Sequence, residues 1–170
     1  RGGSVDHVRL NRWVVKYSPA AAREAQKRKA NTAESWRMDE TCLKACREWM
    51  YLYRAVGRDG QTLDFMLSEK RDTKAAKKFF ANALYKNGIP KRITIDKSRS
   101  NAAGIKEVNK TFKRLTIPVK IDTVRSKYLN NMIEQDHRFI KRRTRPILGF
   151  KSFTSAVATI AEIETANLIR

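Results

Sequence analysis

Asp39, Asp96 and Glu134 are the residues whose types and settings best suit chemistry. Asp39 stands in Trp36-Arg37-Met38-Asp39-Glu40-Thr41 and Asp96 in Ile93-Thr94-Ile95-Asp96-Lys97-Ser98, within or at the end of apolar, strand-like runs. Glu134 stands in a helix-like run from Asn130 to Arg138. A carboxylate in or beside a core is costly unless something neutralises it. Three acids converging from separate elements are the usual way to hold a pair of divalent ions for phosphoryl chemistry. There a water or a 3′-hydroxyl attacks phosphorus in line, and two magnesium ions ~3.5–4 Å apart serve the attacking and leaving oxygens. Magnesium takes hard oxygen ligands from a few carboxylates, water and substrate phosphate. Residue types alone do not single out this triad. Asp64 in Leu63-Asp64-Phe65 and Asp122 in Ile121-Asp122-Thr123 are rivals, and any of these acids could be a paired surface residue.

His137, Arg138 and Lys141 follow Glu134 at three, four and seven residues, which is one face of a helix. Such cations would hold phosphates beside a metal-binding carboxylate; ordinary helical ion pairs fit the spacing equally well. Arg142, Arg143 and Arg145 extend the basic run, and Lys151 follows Gly149. Contacts of this kind give affinity without reading sequence.

Composition narrows the partner. The chain has 170 residues, 37 Lys and Arg against 17 acids, and a net charge of +20. An excess that large, spread along the chain, fits nucleic acid better than a small acidic substrate or a membrane surface. At 41% hydrophobic the chain can bury a core. No apolar run approaches the ~18 residues that span a bilayer, and no signal peptide is evident, so a cytoplasmic protein is expected. The chain begins with Arg1, and a truncated N-terminus is expected. Cys42 and Cys46 make no disulfide framework, and with His7 and His137 the only histidines a zinc site is not expected. Cys42 reads as a small apolar residue in a strand.

The elements that must position the acids follow from periodicity. Residues 5–17 have helical spacing, with Val5, Val8, Trp13 and Tyr17 on one face and Arg9, Asn11, Arg12 and Lys16 exposed. This has the shape of the last helix of a helix-turn-helix, or of an ordinary amphipathic helix. Residues 19–34 read as a helical linker. Trp36 to Leu43, Glu48 to Val56 and Thr62 to Leu67 read as an antiparallel meander with a turn at Gly57-Arg58-Asp59-Gly60. Asp72 or Thr73 caps a helix to Asn87, closed by Gly88 and Pro90. Arg92 to Asp96 reads as a strand, Ala102 to Leu115 as a helix and Pro118 to Thr123 as a last strand. Two more helices are expected at Asn130 to Arg143 and Ser152 to Ile169. The pattern implies an α/β fold: a five-stranded sheet with helices on its faces.

Several collinear segments carry a resemblance over nearly the whole chain. They are Ser-Trp-Arg-Met-Asp-Glu-Thr (35–41), Tyr-Leu-Tyr-Arg-Ala-Val (51–56), Lys-Arg-Asp (70–72), Ile-Thr-Ile-Asp-Lys-Ser (93–98), Lys-Tyr-Leu-Asn-Asn (127–131), Glu-Gln-Asp-His-Arg (134–138), Lys-Arg-Arg-Thr-Arg-Pro (141–146) and Gly-Phe-Lys-Ser-Phe (149–153). Together they closely resemble the transposases of the bacterial insertion-sequence-six family. The resemblance implies a ribonuclease-H-like, retroviral-integrase-like catalytic domain over residues 35–170, after a helix-turn-helix remnant at 1–18 and the linker at 19–34. It implies metal-dependent cleavage and strand transfer at the ends of an insertion sequence. Asp39, Asp96 and Glu134 match the three catalytic, metal-binding acids, and Lys141 matches a basic residue two helical turns after the glutamate. Two magnesium ions are implied as cofactors, with manganese able to substitute. The partners implied are element-end and target DNA and a second copy of the chain, with no membrane. Three features depart from the family. The spacing between Asp96 and Glu134 is longer than usual, with the extra residues placed in the Lys106–Thr116 region. Cys46-Arg47 replaces a Lys-Gly-like turn, which is expected to alter the first hairpin. Only the end of the helix-turn-helix is matched. The alternatives are an inactive DNA-binding remnant of such an enzyme and a nuclease of the same fold that does not transpose.

Overall fold

A computed structural model of the chain describes residues 34–58, 60–126, 131–144 and 149–168, with isolated positions before residue 34. The expected N-terminal helix and linker lie almost wholly outside the described residues, as do Lys127 to Asn130 and Arg145.

Strands β1 (Ser35–Ala45), β2 (Glu48–Val56) and β3 (Thr62–Ser68) form the antiparallel meander. Helix α1 (Thr73–Asn87) follows, then β4 (Arg92–Ile95), α2 (Arg99–Arg114), β5 (Asp122–Arg125), α3 (Asn131–Thr144) and α4 (Phe153–Leu168). The sheet order is β3-β2-β1-β4-β5, with β4 and β5 parallel to β1.

Alternation in the strands builds two cores. Trp36, Met38, Tyr53, Ala55, Ile93 and Ile95 face Phe79 and Phe80 of α1 and Ile105 and Val108 of α2. Leu43, Ala45, Met50 and Leu52 face Ile140 of α3 and Ile160 and Ile163 of α4. Each fully buried aliphatic or aromatic side chain contributes about 1.5–3 kcal/mol, so this pattern fixes which face of β1 each polar residue occupies. Helices α1 and α2 cross closely at Gly104, where an added Cβ would lie 2.8 Å from the Ala76 Cβ.

Helix α1 has the ends expected of it. The Asp72 carboxylate accepts from the Ala75 N–H at 2.7 Å, and the Gly88 N–H closes on the Leu84 carbonyl. Other expectations need correction. Helix α2 begins at Arg99, three residues early. β5 begins at Asp122, four residues past Pro118, because the Asn109 side chain takes both backbone groups of Ile121 at 2.9 and 3.0 Å. That leaves the preceding residues without a ladder to join. Cys42 lies in β1 but is exposed rather than a core residue.

The first hairpin closes tightly at Cys46-Arg47. Ala45 still faces Glu48, and Cys46 and Arg47 take φ of 54° and 66° to make a two-residue connection. Side chains in the left-handed region cost about 1 kcal/mol each. Arg47→Gly is therefore expected to raise stability by about 1 kcal/mol, read as a higher urea midpoint at unchanged slope. A lower midpoint would show that the Arg47 side chain contributes more than its backbone costs.

Candidate active site

The centre of β1 and the end of β4 place two of the three acids. Met38 pairs with Ile95 in the parallel β1–β4 register, so the next step of both chains sets Asp39 beside Asp96. Ile93 and Ile95 belong to the α1–α2 core, so alternation turns Asp96 to the α3–α4 side, the side Asp39 also faces. Glu134 stands exposed in the first turn of α3, which packs on β1.

The charges of these groups meet at Asp39. Partial burial pushes its carboxyl up to about 7, and the negative charges of Glu40, Asp96 and Glu134 push it the same way, against a hydrogen bond from the Glu40 backbone. Among the described residues, no three His, Cys, Asp or Glu side chains stand close enough to ligate one metal ion together. The three carboxylates are thus coupled in charge but spread wider than ligation needs. The donor set still suits magnesium: hard oxygens around a half-buried acid that lacks positive charge.

His137 lies on the inner side of α3, unlike the exposed Arg138 that follows it. It is buried, and its Nε2 lies 3.7 Å from Asp39 Oδ2. Burial, then the positive charges of Arg54 and Lys141, hold the imidazole down at about 3. It is neutral at physiological pH, so the contact is neither an ion pair nor, at that length, a hydrogen bond. Arg138, Arg142 and Arg143 are exposed, and the Arg143 guanidinium stacks 4.4 Å from the Phe139 ring centre. Lys141 is half-buried and close enough to act on His137, and it lines a small cleft with Lys44, Trp49 and Phe150. Arg145 lies outside the described residues.

The rival acids stand elsewhere on the sheet. Asp64 is on β3, separated from β1 by β2, and accepts from Lys86 Nζ at 3.0 and 3.2 Å. Asp122 is exposed at the sheet edge.

Two polar arrangements around the acids were not foreseen. Arg54, directly opposite Asp39 on β2, is buried and pairs with Glu164 of α4 at 2.8 Å and with the Thr62 hydroxyl at 2.9 Å. A lone arginine in the apolar run Tyr51 to Val56 was the available signal. On the other face, the Glu40 side chain is 2% exposed. Arg71 donates to it through Nε at 2.6 Å and pairs through Nη2 at 2.5 Å, and the fully buried Asn101 amide donates to its second oxygen. Asn101 sits early in α2, just past Asp96. Glu40 therefore ties the chain that carries Asp96 to the strand that carries Asp39.

A three-stranded antiparallel meander extended by two strands parallel to β1, with helices on both faces, defines the fold class. Residues 33–170 match the DDE domain family DDE_Tnp_IS240. The chain is 38% identical over 166 residues to the transposase for insertion sequence-like element IS431mec of Staphylococcus aureus, covering 96% of this chain and 70% of that one. The chain belongs to this DDE transposase family, of the insertion-sequence-six type, and is a DNA-cleaving and strand-transferring enzyme.

Solved structures share the fold. The HTLV-2 integrase catalytic core domain in complex with magnesium, in its dimeric form, superposes with a TM-score of 0.52 at 18% identity, covering 69% of this chain and 72% of that one. The simian T-cell lymphotropic virus intasome with the PP2A regulatory subunit B56 gamma gives a TM-score of 0.56 at 13% identity over 79% of this chain. This chain spans about half the length of the matched chain of that assembly, 49%. The sheet is accordingly ribonuclease-H-like, as retroviral integrase cores are.

Proposed function

We propose that residues 35–170 form the catalytic domain, that residues 1–18 and 19–34 are a helix-turn-helix remnant and its linker, and that Asp39, Asp96 and Glu134 carry the chemistry on insertion-sequence ends. The observation behind this reading is the coupling of three acids from three separate elements at one half-buried carboxyl. Asp39, Asp96 and Glu134 would hold magnesium, as two ions with manganese able to substitute, and the metal would supply charge to activate the attacking oxygen and stabilise the leaving one. The carboxylates of Asp39 and Asp96 hold fixed positions because β1 and β4 are locked in register and Glu40 clamps the Asp96 segment. Glu134 approaches from α3 and completes the donor set. Arg138, Lys141, Arg142, Arg143 and Arg145 hold the flanking phosphates, which orients the scissile phosphodiester. In the first step water attacks the scissile phosphorus, the P–O3′ bond breaks, and the products are a free 3′-hydroxyl on the element end and a 5′-phosphate on the flanking strand. In the second that hydroxyl attacks a target phosphodiester and releases a target 3′-oxygen.

The enzyme works on double-stranded DNA as a homodimer, in the bacterial cytoplasm at the nucleoid. Among the described residues no helix is long and apolar enough to cross a membrane. The direct test is a strand-transfer assay joining a labelled element end to a plasmid. Product is expected with magnesium or manganese and none with a chelator. Equal product in chelator would remove the metal-dependent reading.

A further inference from the structure

The chain between Asp96 and Glu134 forms a groove. Helix α2 runs on to Arg114, and the chain returns to the sheet through Thr116, in the left-handed region at φ 57°, before entering β5. Between α2 and this return lies an open groove of about 990 Å³. Its floor is apolar, with Ile117 and Ile121. Its walls are fixed: Asn109 holds Ile121 from both sides, and the Ile117 N–H bonds the Phe112 carbonyl at 3.0 Å.

The rim is basic. Lys106, Lys110, Lys113, Lys120 and Arg125 line it, and Asp122 is the one acid among its lining residues. Lys110 pairs with Glu107 at 2.7 Å, leaving Lys106, Lys113, Lys120 and Arg125 in surplus. All four are exposed. Lys106, Lys110 and Lys113 recur at helical spacing along one side of α2, over about 10 Å of axis. One DNA strand advances ~3.4 Å of axis per phosphate, so the row matches about three consecutive phosphates.

Position gives the groove a role. Arg125 pairs with Ile95, the residue before Asp96, so one end of the groove opens beside the acids. The α2 layer covers the opposite side of the sheet from α3, which carries Arg138, Arg142 and Arg143. Strand transfer must bring two duplexes to one set of acids. Among the described residues, basic side chains stand on each side of the sheet end that bears Asp96.

We propose that the α2–β5 groove binds the phosphate backbone of a second DNA duplex, the target, while α3 holds the element end. This rests on the transposase reading above. The test uses the whole chain and Lys106→Ala/Lys113→Ala/Lys120→Ala. A control, Lys74→Ala/Lys77→Ala/Lys78→Ala on α1, removes the same net charge. Binding of a short fluorescent duplex of mixed sequence is measured against salt. Each lost phosphate contact removes about 0.9 from the log–log slope, so the groove variant is expected to lose about 2–3 and the control much less. Nicking of an element-end duplex should persist while strand transfer into a plasmid falls about tenfold or more. Equal slope changes in groove and control variants, or undiminished strand transfer, would overturn the proposal. Loss of nicking instead of transfer would overturn the assignment to target and give the groove to the element end. The slope needs no catalysis, so an inactive wild type would count against the transposase reading without touching the groove measurement.

Discussion

Asp39→Asn and Asp96→Asn are each expected to abolish cleavage, and Asp39→Asn is expected at the same time to make the metal-free protein more stable at neutral pH. The activity loss should be at least about a thousandfold, since a few kcal/mol of transition-state charge stabilisation is at stake and each ~1.4 kcal/mol is tenfold. DNA affinity should be kept or rise slightly, because the substitution removes a negative charge facing phosphate.

The stability half follows from linkage. The folded protein holds the Asp39 proton up to about 7, against an ordinary value of 3.8. A raised pKa contributes stability that is fully present below the unfolded value and lost as pH rises through the folded one. Ionised Asp39 therefore weakens the metal-free fold progressively between about pH 4 and 7, by a few kcal/mol at most at ~1.4 kcal/mol per pH unit. Asparagine cannot ionise, so its advantage should be absent near pH 4, grow to pH 7 and then level off. Urea titrations in chelator at pH 4.5 and 7.5 measure it, and saturating magnesium should narrow the gap by favouring the ionised wild type. A variant less stable than wild type at both pH values would sink the account, and cleavage by Asp96→Asn at the wild-type rate would remove Asp96 from the mechanism.

What could be read from the sequence was what local pattern determines. The alternation in Trp36 to Leu43 and Glu48 to Val56 reports one buried face per strand, and it led to β1 and β2 within a few residues. Asp72 and Gly88 mark the ends of α1 because cap chemistry is local. The start of β5 was misread because Val119 and Ile121 look like strand residues. What decides their state is Asn109, a dozen residues back, which no local window links to Ile121. The burial of His137 is illegible locally for a similar reason. Its spacing from Glu134 is that of Arg138 and Lys141, but the rotation of α3 on the sheet buries His137 and leaves Arg138 outside. Periodicity tells which residues share a face, and packing tells which face turns inward. The placing of Asp39 beside Asp96 needed the β1–β4 register, and the Glu40 clamp needed Arg71 and Asn101 from two other segments. Neither register nor clamp is inscribed in any short stretch of chain.

The Arg54–Glu164 pair carries the other large expected effect. Both side chains are nearly inaccessible, at 1% and 4%, so each charge depends on the other for its solvation. Removing one member of such a pair typically costs about 3–5 kcal/mol, because the survivor is left charged and desolvated, whereas replacing both with apolar residues of similar size is often neutral. Arg54→Met should therefore destabilise the fold by about 3–5 kcal/mol. The double variant Arg54→Met/Glu164→Leu should recover most of that loss, giving a coupling of a few kcal/mol in a double-mutant cycle. Thr62 loses a hydrogen-bond partner in both backgrounds, so the double variant should stay about 1 kcal/mol short of wild type. Its position gives the pair a second consequence. Arg54 sits opposite Asp39 and helps keep His137 neutral against it. If Arg54 serves only to pin α4 on β2, the double variant will cleave DNA as wild type does. If its charge also shapes the field at Asp39, the double variant will fold well and cleave more slowly. Additive losses in the cycle would show that the pair is not the source of the stability, and that Arg54 and Glu164 act through separate contacts.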